Sequence, residues 1–306
     1  MFSHRFLPLI VGVLAAFAVV APASAFATAA VWTQSTEPPT GGNIQNIHAS
    51  QQVSTTAIAA LGSDDVYVSA DSGQAWARFG GATGLGWVYD AVISQDGTAW
   101  ASGNGIARKR GGESGWTRVA TATLPASNMF TVYSAPNGTI FAGAIYNTVK
   151  GTIWYSTDGG STWVSPTVGP PINSGFRAFA AAGTTVVAGA EAGPGNGGLW
   201  ISTNGGSTFT QLNNGVGTSY TVYKVVIDSS GWYAATNAGL YKSTTTGGSW
   251  SEIATGNIAA LAVEPGGGIV VGKWGDGVYR IAPGPMTRMT GQASVLPWSA
   301  DVSGSN

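Results

Sequence analysis

The sequence predicts an all-β protein: a β-propeller of six blades, each with four short antiparallel strands, with seven blades the less favoured count. An octapeptide motif recurs at intervals of about 40 to 47 residues. Between its copies, short alternating apolar runs are separated by Gly, Asn, Asp and Pro, which is the pattern of strands and turns. No stretch has helical periodicity. Repeats of this length with four strands each are typical of propeller blades.

The motif is clearest in residues 156–163 (STDGGSTW) and 202–209 (STNGGSTF), and looser copies lie at 69–76 and 243–250. Its residues are Ser69, Asp71, Gly73, Trp76, Ser156, Asp158, Gly160, Trp163, Ser202, Asn204, Gly206, Phe209, Ser243, Gly247 and Trp250. One aromatic residue ends each unit, and these are Trp32, Trp76, Trp116, Trp163, Phe209 and Trp250.

The innermost strand opens each blade. These strands are expected to begin near Ile44, Trp87, Met129, Phe176, Ser219 and Asn257, which gives six blades. The last blade also needs an outer strand. Residues 31–34 (VWTQ) are favoured for it, which would close the ring by pairing the two chain ends, and residues 286–289 (MTRM) are the alternative. Either choice covers a sheet edge that would otherwise be open.

The first 25 residues have the features of a secretory signal peptide. A basic start is followed by an apolar run over residues 6–21 and by Ala23-Ser24-Ala25, with a second candidate cleavage site ending at Ala29. The run is short for a spanning helix. The prediction is therefore a secreted or periplasmic chain, with a propeller over residues 31–290, a polar tail over 291–306 and no membrane span after cleavage.

Composition excludes several classes of function. Charged residues make up 9% of the chain and the formal net charge is −1, so a nucleic-acid-binding face has no electrostatic basis. There is no Cys, and His48 is the one histidine beyond the signal peptide, which argues against a metal site or a Ser-His-Asp triad. No cofactor is expected, and the oligomeric state is left open.

The repeat resembles that of the Asp-box (BNR-repeat) propellers, which include sialidases, xyloglucan-cleaving hydrolases and binding proteins. The resemblance covers residues 31–290 and implies that each box is a turn on the outer rim, away from the ligand site. The residue types fit that role, because a short acid such as Asp158 accepts hydrogen bonds from its own turn. The residues Asp71, Asp158 and Asn204 are therefore interpreted as structural.

A ligand site is expected at the mouth of the central channel, on the loop that enters each inner strand and the loop between the second and third strands. Aromatic faces beside polar groups are what sugar binding requires. The binding candidates are Trp87, Tyr89, Tyr146, Arg177, Tyr220 and Trp274. The alternative interpretation is structural: Trp87 and Tyr220 fill space between blades, and Asp90 pairs with Lys224.

Enzyme chemistry has less support. Arg177 is the one arginine near the predicted mouth, so the arginine cluster of a sialidase is missing. A glycoside hydrolase needs two facing carboxylates, which Asp90, Glu191 and Asp276 could supply, although their spacing does not require it. The sequence thus favours a secreted binding module for extracellular glycans. A glycoside hydrolase and a protein-binding assembly propeller, docking on an extracellular protein surface, remain the alternatives.

Overall fold

A computed structural model describes residues 43–50, 53, 55–119, 124, 128–144, 152–171, 174–193, 196–212, 214–244, 247–264, 268–281 and 286–289. The predicted signal peptide, the residues at 31–34, Tyr146 and the tail lie outside these ranges. Within them, no helix is long and apolar enough to cross a membrane.

The strands form six sheets in chain order. Blade one contains β1 (Ile44–Ala49), β2 (Ala57–Leu61), β3 (Val66–Ser69) and β4 (Ala77–Arg78). Blade two contains β5 (Val88–Ile93), β6 (Ala99–Gly103), β7 (Gly105–Lys109) and β8 (Thr117–Arg118). Blade three contains β9 (Met129–Ser134), β10 (Ile140–Ala144) and β11 (Ile153–Ser156). Blade four contains β12 (Phe176–Ala182), β13 (Thr185–Ala190), β14 (Gly198–Ser202) and β15 (Thr210–Leu212). Blade five contains β16 (Val222–Asp228), β17 (Gly231–Thr236), β18 (Gly239–Ser243) and β19 (Ser251–Thr255). Blade six contains β20 (Ile258–Val263), β21 (Ile269–Lys273), β22 (Gly277–Ile281) and β23 (Thr287–Arg288).

Within each blade, every strand pairs antiparallel with the next one along the chain, so the predicted six-bladed antiparallel propeller is confirmed. In blade three, the place of the fourth strand is taken by a single antiparallel bridge between Tyr155 and Val164. The chain then continues to blade four, where Val168 pairs in parallel with Thr208. This segment therefore links the outer edges of two blades.

The prediction that residues 31–34 form the outer strand of the last blade is wrong. Instead of residues 31–34, the strand that pairs with β22 is β23, through Tyr279 with Arg288 and Arg280 with Thr287. The Met289 N–H extends the pairing by donating to the Val278 carbonyl at 2.9 Å. The physical reason is proximity along the chain, because a strand that follows directly closes a small loop at a lower entropic cost than one from the other terminus.

The motif turns connect the third and fourth strands of their blades. In blades one, three and four the serine hydroxyl donates to the side-chain Oδ1 two residues later, with Ser156 Oγ 2.8 Å from Asp158 Oδ1 as the example. The same hydroxyl accepts the N–H of the second glycine, Gly160 at 2.8 Å in blade three. In blade five, residues 245–246 of the motif lie outside the described ranges.

The core consists of apolar clusters between successive blades. Trp163, which ends the motif of blade three, is 1% exposed and packs edge-on against Trp100 of blade two, with ring centroids 6.2 Å apart. Burial of an aromatic side chain of this size stabilises the fold by roughly 2–3 kcal/mol. Trp163 thus packs blade three against the preceding blade.

Candidate functional site at the channel mouth

The antiparallel order places two sets of loops at one end of the ring. In each blade, the start of the inner strand and the turn between the second and third strands lie at the same end of the sheet. The motif turns lie at the opposite end. We call the first of these ends the mouth. The strand order thus puts Trp87, Tyr89, Arg177, Glu191, Tyr220 and Trp274 at the mouth.

Every inner strand has an irregular pairing register at its mouth end. In each blade the register shifts after the first residue, so that the second residue is bulged. The bulged residues are Gln45, Tyr89, Phe130, Arg177, Tyr223 and Ala259. A bulge redirects a side chain while the rest of the strand keeps its register. The backbone feature is repeated six times, but the side chain differs almost every time.

Three aromatic side chains follow one another along the mouth of blades two and three. The rings of Trp87 and Tyr89 have centroids 6.3 Å apart, and Tyr89 meets Phe130 edge to face at 5.0 Å. We call Trp87, Tyr89 and Phe130 the aromatic arc. Trp87 is 42% exposed, which is unusual for an indole in a folded chain and leaves much of its surface open to a ligand.

Arg177 continues the arc into blade four. Its guanidinium carbon lies 4.1 Å from the centre of the Phe130 ring, a cation–π contact, and Nη2 donates to Glu191 Oε1 at 2.5 Å. The Arg177 and Glu191 side chains are 25% and 15% exposed. In the described part of the chain, Arg177 Nε and Glu191 Oε2 are buried and have no hydrogen-bond partner.

The loop that carries Trp87 is fixed by blade one. The Asp64 carboxylate accepts hydrogen bonds from the Thr83 hydroxyl and from the N–H groups of Gly84 and Leu85, the latter two at 3.0 Å. Burial alone would raise the pKa of Asp64, but these hydrogen bonds outweigh it and the pKa lies below its ordinary value. The indole of Trp87 then rests on Gly62, where a Cβ would lie 2.6 Å from its Cζ2.

Asp90 is placed differently from the expectation. It is 1% exposed and its carboxylate accepts from Thr131 Oγ1 at 2.8 Å and lies 2.9 Å from His48 Nε2. The N–H of Ala91 donates to it as well, at 3.0 Å. The predicted pairing with Lys224 is therefore wrong: as a buried carboxylate, Asp90 is satisfied by the inner strands on either side of its own.

The turn of blade six presents a second exposed indole. Trp274 is 37% exposed, and Lys273 Nζ lies 3.9 Å from Asp276 Oδ2. Asp276 also hydrogen-bonds to Tyr279, which raises the pKa of that phenol. Lys273 lies over the Tyr279 ring at 5.4 Å.

Tyr220 belongs to the packing between blades four and five. Its ring centroid lies 6.3 Å from that of Tyr241, and it contacts the apolar cluster that contains Leu199 and Trp250. Burial, followed by the nearby Glu252 carboxylate, raises the pKa of Tyr241 to about 12, so this phenol stays protonated. The position of Tyr146 lies outside the described residues.

The structure therefore brings together Trp87, Tyr89, Arg177 and Glu191 of the sequence candidates. Asp90, Glu191 and Asp276 lie in blades two, four and six and have different partners. Sequence reasoning missed Phe130, although it holds the same second position of its inner strand as Tyr89 and Arg177. Among the described residues, no group of three or more His, Cys, Asp and Glu side chains could hold a metal ion.

No family model matches the sequence, and no curated protein matches it. Solved propeller structures match the fold. The extracellular domain of BT4673 from B. thetaiotaomicron aligns with a TM-score of 0.67 at 14% identity, over 88% of this chain and 37% of that one. YCF48 from Cyanidioschyzon merolae aligns at 0.60 and 16% identity, over 83% and 87%. The GH74 xyloglucanase from Xanthomonas campestris aligns at 0.59 and 17%, over 78% and 44%. The chain thus spans little more than a third of the length of the BT4673 domain. With identities this low, the structural likeness shows a shared fold and does not carry function over.

Proposed function

We propose that the protein is a secreted Asp-box propeller that binds extracellular glycans at its mouth. One observation carries the proposal. Of the described residues, the exposed large aromatic side chains are Trp87, at 42% exposed, and Trp274, at 37% exposed, and both lie on mouth loops. Exposed indoles offer flat apolar faces to the C–H surfaces of sugar rings.

The neighbourhood of Trp87 supplies the polar partners that such a ligand needs. Tyr89 is half-buried beside it, and the Arg177–Glu191 pair follows beyond Phe130. Ligand sites combine a mostly apolar lining with a few placed polar groups. The arc and the ion pair have this composition, and three of their members, Tyr89, Phe130 and Arg177, lie on the inner strands β5, β9 and β12.

The hydrolase alternative has less support from the geometry. Asp90 is buried with its carboxylate oxygens occupied by Thr131, His48 and backbone N–H groups, which leaves it unsuited to act as a proton donor or nucleophile. Glu191 is held by Arg177, and Asp276 lies beside Lys273. A retaining pair would need two carboxylates about 5 Å apart.

A glycan array followed by tryptophan fluorescence titration tests the proposal. Binding is expected to fall at least about tenfold in Trp87→Ala, because exposed aromatic anchors contribute most of the affinity in such sites. Trp274→Ala tells whether blade six takes part. Ile253→Ala is the matched control, since Ile253 is 40% exposed on the outer strand β19 and should leave binding unchanged. The absence of any array signal, or an equal loss in the control, would refute the proposal.

A further inference from the structure

The Arg177–Glu191 pair at the end of the aromatic arc has features of a specificity element. It joins the bulged second residue of β12 to the residue that follows β13, so both partners stand at the mouth. Phe130 covers one face of the guanidinium, which fixes the plane of its donors. A donor and an acceptor are thereby held side by side in a defined orientation.

Two polar atoms of the pair make no hydrogen bond within the described part of the chain. Arg177 Nε and Glu191 Oε2 are shielded from solvent and have no partner among the described residues. Polar atoms that lose water without gaining a hydrogen bond destabilise the fold. The pair therefore contributes little to the stability of the fold. Its position at the mouth is better explained by a role in ligand recognition.

The charge of the element decides which ligand it prefers. The positive guanidinium and the negative carboxylate cancel, so the element offers a donor side chain beside an acceptor side chain with no net charge. The carboxylate of an acidic sugar would meet both partners, so repulsion from Glu191 offsets its attraction to Arg177. Neighbouring hydroxyls of a neutral sugar fit better, since one accepts from Arg177 and the other donates to Glu191.

We infer that the Arg177–Glu191 pair selects uncharged glycans over acidic ones by forming hydrogen bonds with neighbouring hydroxyls of a neutral sugar. The inference rests on the proposed function, because it assigns a ligand class to the same mouth. Trp87 and Tyr89 would provide stacking for either kind of sugar, whereas the ion pair would discriminate between them. Discrimination of this kind is strong when a site is built to pair with hydroxyl groups.

The test compares a neutral oligosaccharide found on the array with an oligosaccharide of the same length in which C6 is a carboxylate. Wild-type protein should bind the neutral one more tightly by about tenfold or more. Glu191→Gln, which keeps the shape but leaves a net positive charge, should reduce or reverse this preference. Arg177→Met, which keeps the apolar stem, should weaken neutral binding while thermal unfolding shows the variant to be folded.

Glu264→Gln is the matched control. Glu264 forms a comparable pair with Arg280 in blade six, with side chains 26% and 23% exposed, but it stands at the end of the inner strand opposite the mouth. It should leave the neutral-to-acidic ratio unchanged. A wild-type preference for the acidic sugar, or a Glu191→Gln ratio equal to the wild-type ratio, would overturn the inference and leave glycan binding intact. A protein that binds neither sugar would instead contradict the proposed function.

Discussion

The imidazole Nε2 of His48 lies 2.9 Å from Oδ1 of Asp90, across the boundary between blades one and two. On the other side, the Thr131 hydroxyl donates to Oδ2 at 2.8 Å. One buried carboxylate therefore connects the inner strands β1, β5 and β9. Because hydrogen bonds are directional, these contacts fix the position of the three inner strands along the channel axis as well as the spacing between them.

Asp90→Ala should consequently be strongly destabilising. It leaves His48, Thr131 and two backbone N–H groups without this acceptor. Removal of one member of a buried polar network costs about 3 kcal/mol or more in the free energy of unfolding. Asp65→Ala is the control, because Asp65 pairs with a half-exposed Arg78 and such pairs contribute below about 1 kcal/mol. Equal urea midpoints for the two variants would contradict the role assigned to Asp90.

Gly160→Ala should destabilise the fold more than Gly159→Ala. Both glycines have positive φ, +79° and +66°, so alanine is strained at either position. A Cβ on Gly160 would also clash with Cη2 of Trp100, whereas on Gly159 the nearest atom belongs to Arg110 at 3.9 Å. We expect about 1 kcal/mol for Gly159→Ala and roughly 1–3 kcal/mol more for Gly160→Ala, measured by urea unfolding. If the two variants unfold alike, the contact with Trp100 is not tight.

The repeat made the fold predictable from the sequence, whereas the site was predictable only in part. The position of Trp87 and Arg177 at the mouth follows from counting strands. The meeting of Arg177 with Phe130 does not, since it depends on bulges at the same point of two inner strands, and a bulge has no distinct residue signature here. The burial of Asp90 could not be predicted from the sequence either, because its partners His48 and Thr131 lie about 40 residues away on either side.

Asp64 should act on binding through the position of Trp87. Asp64→Ala removes the acceptor that fixes Thr83, Gly84 and Leu85, so the loop loses its anchor. We expect glycan affinity to fall by about threefold to tenfold, since a loosened contact loop must be ordered again on binding. The measurement is a fluorescence titration with the array ligand.

Asp96→Ala provides the control for Asp64. Asp96 caps a turn in the same manner, accepting from Ser94 Oγ at 2.6 Å and from the Thr98 N–H at 3.0 Å, but its turn lies at the end away from the mouth. Stability should fall in both variants, and affinity only in Asp64→Ala. An unchanged affinity in Asp64→Ala would show that Trp87 keeps its position without this anchor.

Asp158 should make the stability of the propeller sensitive to acid. The Thr162 hydroxyl, then the Thr162 N–H and the Ser156 hydroxyl, lower the pKa of Asp158 to about 2 from its ordinary value of 3.8. Since the folded pKa lies below the unfolded one, the carboxylate stabilises the fold above about pH 4 and loses this effect as the pH falls through about 2. Wild-type protein should therefore lose melting temperature between these values more steeply than Asp158→Asn.

Blade four supplies the reciprocal variant. Asn204 already occupies the equivalent position, where Oδ1 accepts from the Ser202 hydroxyl at 2.9 Å and from the Thr208 N–H at 3.0 Å. An amide is therefore compatible with the turn, and Asp158→Asn should fold normally at neutral pH. Asn204→Asp should add acid sensitivity over the same range, because a carboxylate there would accept the same hydrogen bonds. Melting curves recorded from pH 7 to pH 2 distinguish the outcomes, and parallel profiles for all three proteins would mean that these turn carboxylates are not coupled to folding.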